Sequence, residues 1–368
     1  MSYITGVGIV TRAFADTAAL RGIDFSTQPA LPAASAIGDY FTRQTTFRHA
    51  ARVAREDRAL LNDTSRLALD ATAQAFDYAS ARVPYSAAER ESCEIYTGIE
   101  GGDYRVPALQ THLRAHAGEV LASLAAMGEI RQHLNPLDML RLLSTNTLYH
   151  LSKVFGLRGE GYPLRRMSLS GLCALEVAHA QLQSGSLQHA LVAAVGDMTT
   201  PENLGAFHKM GLVRLASHPD GVLPAYGAAA LMLERAPPAG RTPLAQVLTV
   251  LSRYVPDTLV RVSEWRNLLA HVAMHQRVPI QHVVLYRNGV AALEQAEREA
   301  LHAFWPNCTV HAYKPYTGYT GQANNLIDLV LALADPAIET GATVLVNGVG
   351  IGTGLGAIVL RKLSGAIS

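Results

Sequence analysis

The residues with the most chemical potential in this chain converge on one stretch, Met167-Ser168-Leu169-Ser170-Gly171-Leu172-Cys173-Ala174-Leu175. An extended segment leads into a Ser-x-Ser-Gly turn, and small and apolar residues follow it. A side chain at such a strand-to-helix turn sits at the positive end of the helix dipole. That position favours an anion, and a thiolate there is nucleophilic near neutral pH. The residue present is a serine, whose hydroxyl ionises far less readily and needs a general base beside it. Cys173 lies more than one helical turn further on and faces the core, so it does not replace Ser168. His208, His218 and His311 are the available bases, but no triad is visible among them. Ser168 therefore reads either as an activated nucleophile or as an inert residue keeping volume and a hydrogen bond at a tight turn.

A second group of polar residues lies in the C-terminal half. Lys314-Pro315-Tyr316-Thr317-Gly318-Tyr319-Thr320-Gly321 offers an amine and a phenol. Lys314 could face a ligand or form a buried pair with Glu294, Glu297 or Glu299. The tyrosines from Tyr313 to Tyr319 could line a pocket or simply pack at a polar-apolar boundary. The glycines from Gly348 to Gly356 lack the Gly-Lys-Ser/Thr ending of a phosphate loop and run into a strand, so they read as a turn lending backbone N–H groups. Glu100 and Asp103, beside Gly101-Gly102, read as an acidic pair or as caps of the following helix.

Taken together these motifs resemble those of the β-ketoacyl synthases, the condensing enzymes of the thiolase superfamily. Ser170-Gly171 and Ala174-Leu175 match that family's nucleophile turn, with Ser168 where the catalytic Cys belongs. Ala178 to Val195 is similar to the helix, Ser-Gly turn and strand that follow, and Ala206 to Leu212, with Phe207, to an aromatic-containing turn. Lys314 keeps the lysine of the Lys-x-x-x-Gly-His motif, and Tyr319 stands at its His. Asn347 to Gly354 corresponds to the terminal Gly-aromatic-Gly loop, with Ile351 for the usual Phe. The first catalytic His falls within Val283 to Gly289, where Tyr286, Arg287 or Asn288 is available and none is His; Asn288 is the residue assigned to the site. The resemblance spans roughly residues 2 to 362.

The family's condensation uses the Cys to hold an acyl thioester and two His to steady the enolate oxygen as malonyl loses CO2. With all three replaced, the resemblance implies a subunit of the chain-length-factor type found in type II polyketide systems. Such a subunit pairs with an active ketosynthase and shapes the tunnel for a chain carried on the phosphopantetheine arm of an acyl carrier protein. Lys314 would then orient that arm or a water. Phe207 and Ile351 are assigned to the tunnel, with Tyr104, Leu109 and Leu113 from the helix after Gly101-Gly102; Leu109 and Leu113 share one helical face. The alternative is an enzyme, a Ser168-dependent acyltransferase or thioesterase on carrier-bound thioesters, and a silent homodimeric scaffold is a third reading. No bound cofactor or metal is expected.

The elements that must position these residues alternate. Strands are predicted at Tyr3–Val10, Cys93–Gly98, Tyr162–Met167 and Ala228–Glu234, with helices at Asp63–Ser80, Val106–Ala126 and Pro136–Val154. After a linker at Ala236–Gly240 come strands at Leu244–Arg253, Val283–Tyr286, Thr309–Ala312, Thr343–Gly348 and Gly356–Arg361. Helices are predicted there at Val262–His275, Gly289–Ala303 and Gln322–Ala334. Alternating helices and apolar strands indicate an α/β fold. The resemblance implies a thiolase-like fold, with duplicated halves over 1–235 and 241–368 packed as a five-layered αβαβα sandwich.

Composition narrows the function classes. A net charge of +1 gives no electrostatic case for nucleic-acid binding. The cysteines, Cys93, Cys173 and Cys308, are too scattered for a disulfide framework or zinc site. No apolar run reaches the roughly 20 residues of a membrane span, and the N-terminus lacks the basic region of a signal peptide, so a cytoplasmic protein is expected. An apolar content of 49% against 17% charged residues suits a chain that buries a large interface.

Overall fold

The computed structural model describes residues 1–27, 30–41, 46–100, 136–257, 259–275 and 278–364. Its strands are β1 (Ser2–Thr11), β2 (Glu94–Gly98), β3 (Gly161–Leu164), β4 (His189–Asp197), β5 (Tyr226–Glu234), β6 (Ala245–Arg253), β7 (His282–Val284), β8 (Thr309–His311), β9 (Thr343–Gly350) and β10 (Gly354–Lys362). They join in the order β3-β2-β4-β5-β1-β6-β10-β9-β7-β8. In the first five strands β2 runs parallel to β3 and β4, while β5 is antiparallel to β4 and β1. The second five repeat this pattern, with β7 parallel to β8 and β9 and with β10 antiparallel to β9 and β6. The two sets meet where Ser2–Ile4 pairs with Ala245–Val247. The fold is thus a duplication, with its pseudo-twofold axis between β1 and β6.

The helices are α1 (Asp63–Ser80), α2 (Ala87–Ser92), α3 (Pro136–Leu142), α4 (Ser144–Phe155), α5 (Ser170–Ser184), α6 (Pro201–Lys209), α7 (Val262–His275), α8 (Ala291–Phe304), the single turn α9 (Lys314–Thr317) and α10 (Asn324–Ala334). Helix α5 packs on β2 and β4 of its own half and on β6 of the other, and α10 packs on β9, β1, β5 and α5. These two helices form the middle layer, and their sequences explain why. SGLCALEVAHA and LIDLVLALA carry apolar or small residues on nearly every side, so both helices can be buried. On the outer faces α1 covers β1, β5 and β4, while α7 covers β6 and β10 and carries α8. The result is the αβαβα layering of the thiolase-like fold. Strands such as ALVAAVGD in β4 are buried on both faces, which accounts for their unbroken apolar character.

Several boundaries differ from the sequence expectation. The helix expected over Pro136–Val154 is broken at Leu143, whose backbone is extended, and restarts at Ser144. The strand expected to reach Met167 ends at Leu164, because Met167 has a positive φ of 48° that no strand accommodates. The stretch with Ala206–Leu212, read as a turn, is largely helical as α6. Its start signals are Thr200, whose hydroxyl accepts from Asn203 N–H, and Pro201 in the first turn. The expected helix Val106–Ala126 lies outside the described residues.

Candidate active site and its relatives

The site forms where the two halves bring their loops together beside the middle layer. Met167 and Ser168 lie in a tight turn (Met167–Leu169) that feeds directly into α5. Close packing sets this turn. A Cβ on Gly98 would lie 2.4 Å from the Gly171 nitrogen, and one on Gly171 would lie 2.7 Å from the Ala194 Cβ. Helix α5 therefore enters against bare backbone from β2. Among the described residues, Met167 (φ 48°) and Arg287 (φ 26°) are the non-glycine residues with positive φ. Both flank the site, one before Ser168 and one after Tyr286.

Ser168 is buried, and its hydroxyl hydrogen-bonds the phenol of Tyr319. Tyr319 follows α9 and Gly318, whose φ of 76° turns the chain back towards the core. The Tyr286 ring meets Tyr319 edge-on, with centroids 6.4 Å apart, and its hydroxyl faces the Ser168 and Tyr319 oxygens without an aligned hydrogen bond to either. The Phe207 ring lies 5.6 Å from Tyr319, and Ile351, from the β9–β10 turn, joins the same apolar cluster. Burial pushes the Tyr286 phenol well above its ordinary pKa, with neighbouring Tyr319 adding to the effect, and burial also raises Tyr319. Both phenols therefore stay neutral at physiological pH and are poor bases.

A buried ionic frame stands behind the hydroxyls. The Lys314 ammonium pairs with Asp328 of α10 and lies 4.5 Å from the Tyr286 ring centroid. Burial outweighs the Lys314 charge and raises the Asp328 carboxyl to about 6. Glu297 of α8 accepts from the Tyr286 N–H at 2.8 Å, the Asn347 amide at 2.8 Å and the Arg287 N–H at 3.5 Å. Burial lifts it to about 7 despite these donors. Outside the hydroxyl cluster a cleft of about 460 Å³ is lined by Arg214, Asp220, Arg287, Asn288, Lys314 and Tyr319, among others. It borders the buried cluster at Tyr319.

Residues 23–239 match the family model for the β-ketoacyl synthase N-terminal domain. The chain belongs to the β-ketoacyl synthase family. No curated protein matches this ketosynthase-family chain by sequence. Solved structures with its fold include a β-ketoacyl synthase from Burkholderia phymatum STM815 (17% identity, 99% of each chain, TM-score 0.79). The ishigamide ketosynthase/chain length factor is a second (19% identity, 99% of each chain, TM-score 0.75). A third is a type II PKS acyl-carrier protein in complex with its ketosynthase bound to the hexaketide (AntDE:AntF; 16% identity, 98% of this chain and 99% of that chain, TM-score 0.76). The chain thus has a ketosynthase fold resembling type II ketosynthase and chain-length-factor structures. Among the described residues no helix is long and apolar enough to cross a membrane.

The ketosynthase-like site brings together Ser168, Tyr319, Lys314, Phe207 and Ile351, but with two corrections. Asn288, assigned to the first His position, points elsewhere. Its Oδ1 accepts from the Val290 N–H at 3.1 Å, and its Nδ2 is buried at the cleft without a partner among the described residues. Tyr286, two residues earlier, is the side chain that faces Ser168 and Tyr319, because Glu297 fixes its backbone. Lys314 pairs with Asp328 rather than with Glu294, Glu297 or Glu299. Of the possible bases, His208 and His218 are exposed, and His311 is taken up by Asp335 and His282. Glu100 is a cap, but of the Met167–Leu169 turn before α5, where its carboxylate accepts from the Met167 N–H, and it accepts from the Ser170 hydroxyl as well. Asp103, Tyr104, Leu109 and Leu113 lie outside the described residues.

Sequence reasoning offered Tyr286 but assigned Asn288 in its place, and it missed Asp328 and Arg166. The Arg166 guanidinium ties the turn before Ser168 to the Thr353 carbonyl at 3.2 Å and the Ser252 hydroxyl at 2.7 Å.

Proposed function

We propose that this chain is a non-condensing ketosynthase-like subunit of the chain-length-factor type. It pairs with an active ketosynthase and shapes the tunnel for polyketide or fatty acyl chains held on an acyl carrier protein. The observation that carries this reading is the cluster of Ser168, Tyr286 and Tyr319 hydroxyls, where condensation needs a thiolate and two imidazoles. Bonded to a neutral phenol, this serine has no base to take its proton among the described residues. The phenols can donate hydrogen bonds but carry no imidazolium charge to steady an enolate. With chemistry absent, Phe207 and Ile351 act as walls, and side-chain size there bears on chain length. The cleft beside Asn288 and Lys314 suits an amide-bearing arm such as pantetheine, since the unpartnered Asn288 Nδ2–H can donate to a carbonyl.

The same geometry argues against the Ser168-dependent acyltransferase or thioesterase, because among the described residues no histidine or carboxylate hydrogen-bonds the Ser168 hydroxyl. The test is to purify the chain alone and co-expressed with a candidate active ketosynthase. Alone, it should neither take acyl groups from carrier thioesters nor decarboxylate malonyl carrier protein, and Ser168→Cys should not restore condensation. Co-expressed, the two should elute as a 1:1 complex on gel filtration. An acyl adduct on Ser168 by intact mass would establish the acyltransferase instead, and a homodimer that ignores the ketosynthase would leave the scaffold.

A further inference from the structure

The electrostatics around Ser168 hold one feature that the loss of Cys and His does not require. Glu100 follows β2 and turns its carboxylate onto the start of α5. One oxygen accepts from the Met167 N–H and, at 3.0 Å, from the Ser170 hydroxyl. The other faces Arg165 Nε at 3.6 Å. The anion therefore touches residues on both sides of Ser168, at the helix end where a thiolate would be stabilised. A negative charge already in that place removes the benefit for a second one and repels it.

Among the described residues, Arg165 is the one cation within ion-pair distance of the Glu100 carboxylate. Arg165 is more than half exposed, with 59% of its side chain accessible, so solvent screens its pairing with Glu100. The Arg166 guanidinium is directed to Thr353, Ser252 and Cys173 Sγ. Lys314 is neutralised by Asp328, and Tyr286 and Tyr319 are uncharged. We infer that Glu100 is a positioning residue whose anion sits on the turn that feeds α5 and opposes a second negative charge at position 168, so that even a thiol placed there would resist ionisation. This rests on the non-condensing reading and adds a second, electrostatic lock to it.

The lock is tested on the full chain by comparing Ser168→Cys with Ser168→Cys/Glu100→Gln. Glutamine keeps an acceptor oxygen for the Met167 N–H and the Ser170 hydroxyl, so the turn is retained and only the charge is lost. The pH dependence of iodoacetamide alkylation reads the thiol pKa, and peptide mapping separates position 168 from Cys93, Cys173 and Cys308. Glu100→Gln should lower that pKa by about one pH unit, giving roughly tenfold faster alkylation at a fixed pH below it. A third chain, Ser168→Cys/Arg165→Gln, removes only the solvent-screened cation and should leave the pKa almost unchanged. A merely structural Glu100 would change thermal stability and leave both pKa values where they were. Equal pKa values in the first two chains overturn the proposal. If the Glu100 variant fails to fold, Ser168→Cys alone decides, and an alkylation pKa at or below the roughly 8.5 of a free thiol overturns the proposal. Acylation of natural Ser168 would instead sink the non-condensing reading and leave this comparison intact.

Discussion

Replacing Lys314 by methionine isolates the cost of the buried carboxylate behind the site. Asp328 is almost completely buried, and its second oxygen has no partner among the described residues. Its carboxyl is raised from 3.8 to about 6, so the folded state binds a proton more readily than the unfolded one between those values. Stability therefore falls as pH rises from near 4 and levels off above about 6. At about 1.4 kcal/mol per pH unit, the wild-type penalty saturates near 3 kcal/mol. Without Lys314 the carboxyl stays protonated to higher pH, and the penalty keeps growing to roughly 6 kcal/mol at about pH 8. The variant should thus lose about 3 kcal/mol relative to wild type at about pH 8 and almost nothing electrostatic at about pH 5. Urea unfolding at the two pH values measures this, with Lys314→Met/Asp328→Leu as the control. The double variant should recover most of the loss, since a well-packed apolar pair is tolerated where a half-pair is not. An equal loss at both pH values, or a double variant as unstable as the sum of its singles, would refute the reasoning.

Two further outcomes follow from the same site. Tyr319→Phe strips the Ser168 hydroxyl of its partner in a dry environment and should cost about 1–3 kcal/mol, with Tyr319→Phe/Ser168→Ala recovering part of it; additive single losses in a denaturant cycle would show that the two oxygens are not coupled. Glu297 is raised from 4.5 to about 7, so it too lowers stability as pH climbs through that window, and Glu297→Gln should flatten the decline in melting temperature between about pH 5 and 7 while keeping one acceptor for the Tyr286 N–H; an unchanged slope would sink the assignment.

Much of the architecture was legible in the sequence because patterning and burial agree. Asp63–Ser80 and Val262–His275 are helices over the residues their periodicity marks, and the strands fall within a few residues of their apolar runs. The site was legible where a motif fixes the backbone, as at Ser168 and Gly318-Tyr319. It was misread where register alone had to decide. Tyr286 and Asn288 are both plausible two residues apart, and nothing local separates them. The missing signal was Glu297. With Leu293, Ala296, Ala300 and Leu301 it lies on the apolar face of α8, and a carboxylate there must find donors. It finds the Tyr286 N–H, eleven residues back, and so fixes which side chain enters the site. Asp328 carried a similar clue, as an acidic residue in the otherwise apolar LIDLVLALA run, which demands a buried cation such as Lys314. The break at Leu143 had no such clue, because its neighbours are compatible with helix.

The strain around the site bears on the proposed role. Met167 and Arg287 sit at positive φ without being glycine, a conformation that costs on the order of 1–3 kcal/mol each. Each is pinned by a carboxylate on its own N–H, Glu100 for Met167 and Glu297 for Arg287. A strained turn of this kind can aim a nucleophile. Here it aims a serine whose only side-chain hydrogen bond among the described residues is to a neutral phenol. The geometry of a condensing site is therefore held at an energetic cost while its ionisable groups are replaced by hydroxyls. That combination suits a part whose contribution is shape. Relaxing the turns would move Phe207, Tyr319 and Ile351, the side chains that wall the proposed tunnel, whereas exchanging imidazole for phenol leaves the wall in place and removes only the charge.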